Sequence, residues 1–425
     1  MNYKEIEIKK GIKIHAINTE KFKTNLIAVF LTNELIRENV TKNALIPVIL
    51  RRGSMTMKNQ EEISKQMEKM YGAYFDCGLD KTGDNQIIKF YLDEISEEYI
   101  PEKNEKLLKN SIDKILDIIF NPYLENGGFK EEYVEQEKIN MKQRIEGKVD
   151  NKSRYALDRC IEEMYKNKPF GLYKFGYVED LNEINGKNLY KYYKKMVDTC
   201  KIDIYVSGNF NEDIEEIIKE NEMIKELCER EPKYMLPKIK TVQDLELEKQ
   251  NEIIEKMDVT QGKLVVGLDV YIEEEQEKYA TLVYNSILGG SANSKLFQNV
   301  REKEHLAYVA SSSYLRSKNN IFINCGIEVE NYKKTIELIK EQLESIKKGE
   351  FSEIDIENNK EGIVESLKTI KDEQDTQITY SFGQELLKTK ITLEEYEKDI
   401  RKVTKEDIID IANKVRINTI YFLKN

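Results

Sequence analysis

Histidine is almost missing from this chain. Its 425 residues hold two, His15 and His305. Residues that far apart cannot stand four apart on one helix, which is how paired imidazoles commonly hold zinc. No cluster rich in histidine or cysteine takes their place. The five cysteines, Cys77, Cys160, Cys200, Cys228 and Cys325, are odd in number, widely spaced and form no Cys-x-x-Cys pair. That pattern reads as scattered reduced thiols in a cytoplasmic protein, not a disulfide framework. Apolar runs fall well short of the roughly eighteen residues a membrane helix needs, so no spanning segment is expected. The first residues, Met1-Asn-Tyr-Lys-Glu-Ile-Glu-Ile8, carry no apolar core of a signal peptide. Basic excess is also lacking. With 67 Lys and Arg against 78 Asp and Glu, the net charge of −11 argues against nucleic acid as a partner and mildly favours neutral or basic ligands. Tryptophan is absent and proline scarce; neither points to a function.

What the chain does have is length and internal duplication. It is long enough for two or more sizeable cores. The stretch Phe129-Lys-Glu-Glu-Tyr-Val-Glu-Gln-Glu-Lys138 aligns without a gap on Phe351-Ser-Glu-Ile-Asp-Ile-Glu-Asn-Asn-Lys360. Upstream of each runs an apolar stripe at helical spacing: Leu108, Ile112, Ile115 and Ile119 in one case, Tyr332, Ile336, Ile339 and Leu343 in the other. Each helix stops at a breaker, Asn121-Pro122 or Gly349. The strand-like Lys201-Ile-Asp-Ile-Tyr-Val-Ser-Gly208 resembles Arg416-Ile-Asn-Thr-Ile-Tyr-Phe-Leu423. Three matches in the same order mark two halves, residues 1–210 and 248–425. They are joined by a charged linker, 211–247, with Pro232, Pro237 and one helix predicted over 212–228. Strands are predicted at 25–31, 87–92, 263–270 and 321–329. They do not alternate regularly with helices. The expected fold is α+β, each half a largely antiparallel sheet covered by helices.

The segment Ser294-Lys-Leu-Phe-Gln-Asn-Val-Arg-Glu-Lys-Glu-His-Leu-Ala-Tyr308 reads as an amphipathic helix running into a strand. Seven residues separate Arg301 from Tyr308. On a helix that is close to two turns, which would aim both side chains the same way about 10 Å apart. A guanidinium and a phenol so placed can grip a peptide carbonyl, or the oxyanion formed when it is attacked. On spacing alone a solvated arginine and a half-buried tyrosine are the commoner explanation. The aligned stretch of the first half ends Tyr71-Gly-Ala-Tyr74. Tyr74 matches Tyr308, but Met67 stands in place of the arginine, so duplication alone does not demand the pair.

Together with Gly289-Gly290-Ser-Ala-Asn-Ser-Lys-Leu-Phe297, Val300-Arg-Glu-Lys303 and Leu306-Ala-Tyr308, this segment resembles the second-domain signature of the insulinase/pitrilysin zinc peptidases, which include the mitochondrial processing peptidases. Gly11-Ile-Lys-Ile, Arg51-Arg-Gly-Ser54, Tyr71-Gly-Ala73, Gln136-Glu-Lys138 and Ser207-Gly-Asn209 agree, so the resemblance covers essentially the whole chain. Active members are inverzincins, with His-x-x-Glu-His on a first-half helix and a further glutamate completing the zinc shell. Counting back from Arg52-Gly53 places that motif on Ala44-Leu-Ile-Pro-Val48. Ala44 and Val48 stand for the histidines and Pro47 for the base, while Arg144 stands where the third ligand should be, seven residues after Glu137. No metal is expected in this chain.

The resemblance implies a non-catalytic, metal-less subunit of a bacterial two-chain peptidase. Zinc would sit on a paralogous His-x-x-Glu-His partner in a heterodimer, and Arg301 and Tyr308 would be supplied in trans to bound peptide. The chain would be inactive alone. A homodimer remains open, as does a purely structural or peptide-binding scaffold with no part in proteolysis. A third reading, a displaced metal site using His15 or His305, would need carboxylates to complete it.

Overall fold

The structure is a computed structural model describing residues 2–101, 106–235 and 250–425. The chain forms two compact units that do not follow a single cut of the sequence. One comprises Met1–Gly147, Leu172–Leu236 and Glu373–Phe382; the other comprises Lys148–Gly171, Pro237–Asp372 and Gly383–Asn425.

In the first unit the strands are β1 (Asn2–Lys9), β2 (Ile12–Asn18), β3 (Thr24–Glu34), β4 (Tyr74–Thr82), β5 (Asn85–Ile95) and, after a small ladder of β6 (Leu124–Glu125) with β7 (Gly128–Phe129), β8 (Lys201–Gly208). The six-stranded sheet has the order β1-β2-β8-β3-β5-β4. All its pairings are antiparallel except β2 with β8. The central strand β3, Thr-Asn-Leu-Ile-Ala-Val-Phe-Leu-Thr-Asn-Glu, is buried along almost its whole length, as a strand covered on both faces must be. Ile27, Val29 and Leu31 join the helix-side core with Ile112, Ile115 and Ile119. On the other face Phe30 meets the ring of Phe382 at 4.7 Å. Gln374 fixes that covering segment by donating to the carbonyls of Thr24 and Ser207, both at 3.0 Å.

The second unit contains β9 (Asn251–Lys256), β10 (Gly262–Val270), β11 (Ala307–Leu315), β12 (Asn320–Ile327) and β13 (Val415–Lys424) in the order β11-β12-β10-β13-β9. Only β13 with β9 is parallel. The order and the position of the parallel pair repeat those of β4-β5-β3-β8-β2, so the duplication seen in sequence is a duplication of topology. One face carries helices Tyr332–Lys347 and Glu353–Ile370, the latter opened by a capping box from Ser352 and Asp355. The other face is covered by helix Lys152–Met164. Gly267 on β10 makes room for it: a Cβ there would lie 3.0 Å from Met164 Sδ. Glu255 locks the contact, accepting from Tyr155 at 2.6 Å, Tyr421 at 2.8 Å and Arg159 at 3.1 Å.

Each sheet is thus completed by a helix segment from the other half of the sequence. Lys152–Met164 and Gln374–Leu387 begin at the same distance after the matched residues Phe129 and Phe351. The helix predicted over 212–228 is two helices, Ile214–Glu220 and Glu222–Glu226. Between them Asn221 is extended, and its side chain accepts from the N–H groups of Met223 and Ile224, capping the second helix. The linker from residue 236 to 249, including Pro237, lies outside the described residues. Among the described residues no helix is long and apolar enough to cross a membrane.

Candidate substrate-contacting site and the degenerate metal motif

Ala44, Pro47 and Val48 all fall on helix Val40–Leu50. Ala44 and Pro47 are buried and Val48 is partly so, packed with Leu45, Ile46 and Ile49 in the helix-side core. Pro47 lies beyond the first turn, so the carbonyl of Asn43 loses its usual N–H donor. Asn43 is held by its side chain instead, donating to Gln86 at 2.9 Å and accepting from Tyr192 at 2.6 Å. Cys77 on β4 faces the same helix, its thiol donating to the Pro47 carbonyl at 3.3 Å. Burial raises that thiol to about 11, against the opposing charges of Arg51 and Arg144, so it is an inert neutral group at ordinary pH.

Arg144 is on helix Glu131–Glu146. Two turns earlier on that helix, Glu137 accepts from Arg52 at 2.6 Å. Arg144 itself is exposed, with its guanidinium 5.0 Å above the Phe175 ring. Ala44, Val48, Pro47 and Arg144 therefore offer two apolar side chains, an imino ring and a cation. None can donate a lone pair to zinc. Among the described residues no group of three or more His, Cys, Asp or Glu could hold a metal ion.

The two histidines lie apart from this place. His15 is fully buried on β2. Its ring stacks on Tyr205 at 4.1 Å, and its nitrogens bond Asp203 at 3.1 Å and Tyr3 at 2.7 Å. Lys201 donates to both Asp203 oxygens, at 2.5 and 2.7 Å. Burial alone would raise the Asp203 carboxyl; Lys201 and His15 outweigh it and hold the group below its ordinary value. This is a satisfied buried ion cluster. His305 forms a turn after the arginine segment, with φ of 53°.

That turn changes the geometry of Arg301 and Tyr308. The winding is of π type from Phe297 to Lys303 and stops there. His305 turns the chain, and Tyr308 follows on β11. The seven-residue separation is therefore not two turns along one helix face. Each residue reaches the surface by its own device. The arginine segment is seated by buried Leu296 and Val300, by Lys295 donating to Ser345 at 2.9 Å, and by Asn299 donating to Gln342 at 2.8 Å. Arg301 projects from it with 43% of its side chain exposed. Its guanidinium lies 4.5 Å above the Phe297 ring, and its Nε is 3.5 Å from Glu302. Tyr308 is the extra residue of a β-bulge, between Ala307 opposite Ile327 and Val309 opposite Gly326. The bulge breaks the in-out alternation, so Tyr308 and Val309 are both exposed while Ala307 and Ala310 stay buried. Tyr308 is 70% exposed at the head of an outermost strand. No hydrogen bond joins the two side chains. Neither the π-helical winding nor the bulge had a signal in residue types.

The fold is two units of matching sheet topology, and no zinc ligand stands at Ala44, Pro47, Val48 or Arg144. Residues 183–363 match the family described as Peptidase M16 inactive domain. The chain is 33% identical over 422 residues to a Bacillus subtilis (strain 168) protein described as a probable inactive metalloprotease, YmfF, covering 97% of this chain and 96% of that one. A crystal structure of a conserved protein from Enterococcus faecalis V583 superposes with a TM-score of 0.91 at 29% identity, over 100% of this chain and 99% of that one. A Pseudomonas fluorescens structure described as a peptidase M16 inactive domain gives 0.77 at 14% identity, over 100% and 98%, and speaks for the fold alone. The chain belongs to the M16, insulinase-type peptidase family, as one of its metal-less members.

Proposed function

We propose that this chain is the non-catalytic subunit of a two-chain peptidase, binding peptide and presenting Arg301 and Tyr308 to a zinc-bearing His-x-x-Glu-His partner. One observation carries the reading. The scaffold around Arg301 and Tyr308 is firmly built, yet both side chains are left exposed, Arg301 at 43% and Tyr308 at 70%. The four metal-motif positions, by contrast, are filled with residues that cannot ligate. In such a complex the partner's zinc would activate water. Arg301 and Tyr308 would hold the substrate backbone, laid as an added strand along a sheet edge, and stabilise the developing oxyanion.

The test is reconstitution with the zinc-bearing partner, found by pull-down from the native cell with metal analysis of what is retained. Arg301→Ala should leave the complex assembled and lower kcat about a hundredfold, the scale of losing one oxyanion donor. Tyr308→Phe should act in the same direction. If both variants keep full activity, the assigned role is wrong.

A further inference from the structure

Strand β4 is an outermost strand of the first unit's sheet, and only part of its free edge is closed. Towards its C-terminal end, Lys174 Nζ donates to the Leu79 carbonyl at 3.2 Å and Lys81 Nζ to the Leu172 carbonyl at 3.0 Å. These bonds bind the segment around residues 172–175 to the strand. Ahead of them, among the described residues, the backbone of residues 74–78 bonds only to β5. The strand begins with Tyr74, 64% exposed. An unpaired edge of this kind is a template for an extended peptide.

Where the open edge ends, the positive charges of Arg51 and Arg144 both act on the Cys77 thiol. Arg144 lies over Phe175, a residue of the same closing segment, and pairs with no carboxylate among the described residues. Arg51, at the end of the Ala44–Val48 helix, is 3.5 Å from Asp76, a long and exposed contact worth little. A strand entering beside Tyr74 runs out of free edge here, so a chain terminus fits this place and a continuing chain does not. The charge of a terminal carboxylate is what two guanidiniums complement, and a forked donor can take both its oxygens.

We propose that the open edge of β4 binds the C-terminal end of a peptide as an added strand parallel to β4, its free carboxylate held by Arg144 and Arg51. The position that cannot hold a zinc cation would then hold a fixed organic cation that grips an anion. This does not depend on the partner subunit, because every residue named belongs to one unit of this chain.

The experiment is fluorescence anisotropy of the full chain with N-terminally labelled peptides of about eight residues, drawn from a varied pool, each made with a free and an amidated C-terminus. Amidation should weaken binding about tenfold or more, the scale of a lost charge-assisted hydrogen bond. Arg144→Gln should remove the preference for the free carboxylate, and Arg144→Lys should keep part of it. Arg144 is exposed, so these variants should fold; Arg51→Gln gives the same readout if they do not. Equal binding of free and amidated peptides, an undiminished preference in Arg144→Gln, or no binding by any free-carboxylate peptide would overturn the proposal.

Discussion

Glu94 is a carboxyl set in the helix-side interior of the first sheet, accepting from Asn25 at 3.3 Å and hydrogen-bonded by Ser111. Burial raises it from 4.5 to about 7, more than those bonds lower it. The sign follows directly. Below the unfolded value both states are protonated and the group has no effect on stability. Between that value and about 7 the unfolded chain has released a proton that the folded chain keeps, so stability falls as pH rises. The loss has an upper limit of about 3 kcal/mol. Glu94→Gln cannot ionise. It should raise the urea midpoint at pH 8, by about 2 kcal/mol of unfolding free energy, and leave it unchanged near pH 4. Equal midpoint shifts at both pH values would show that Glu94 is ionised in the fold. At this scale the sequence was only partly legible. It placed Ala44, Pro47 and Val48 on one helix, as the structure has them, because those positions are counted along a continuous apolar stretch. It could not show that His15, Asp203 and Lys201 meet in one buried cluster, since 188 residues separate the first two.

At the scale of elements, the helices over the stripes 108–119 and 332–343 and the strands at 25–31, 87–92, 263–270 and 321–329 followed from apolar period and breakers. Departures arose where the backbone itself is unusual. Ser286–Gly290 and Phe297–Lys303 are π-helical, and the Tyr308 bulge follows. These are hydrogen-bonding alternatives open to the same residue types, so pattern reading treats the first two as ordinary helix and the third as ordinary strand. One glycine shows why the path is taken. A Cβ on Gly289 would fall 2.6 Å from the backbone N of Ser312 on β11 and 2.8 Å from Leu296 Cδ1. The π-helical turn and the strand bearing Tyr308 therefore touch through a missing side chain. Gly289→Ala should destabilise the second unit by about 1–3 kcal/mol, the usual range for overpacking, read as a lower urea midpoint. In the reconstituted complex it should also lower activity with Arg301 and Tyr308 intact. An unchanged midpoint would mean that β11 shifts at no cost.

For the whole molecule, the duplication was legible and the exchange of helices was not. The repeat is written in local sequence, but which sheet a helix covers depends on contacts hundreds of residues apart. Helix Lys152–Met164 shows apolar Ala156, Cys160, Ile161 and Met164 at helical spacing, and these residues belong to a core with Val265, Phe322, Tyr421 and Leu423. In the first unit Phe382 plays the reciprocal part against Phe30 and Tyr205. A cut between the halves therefore severs both sheets from their second cover. Burial of large aromatic and aliphatic side chains contributes about 1.5–3 kcal/mol each, so exposing one whole sheet face costs more than the few kcal/mol by which a domain is stable. A fragment of residues 1–235 should leave the face of Phe30 and Tyr205 bare and its own helix 152–164 without a sheet. It should bind a hydrophobic dye and show no sharp thermal transition. Mixed with a fragment of residues 250–425, which holds the missing Phe382 and the sheet that helix 152–164 covers, it should lose the dye and regain a cooperative transition. A cooperative melt of 1–235 alone would show that each half completes its own core, and that the exchanged helices add little to stability.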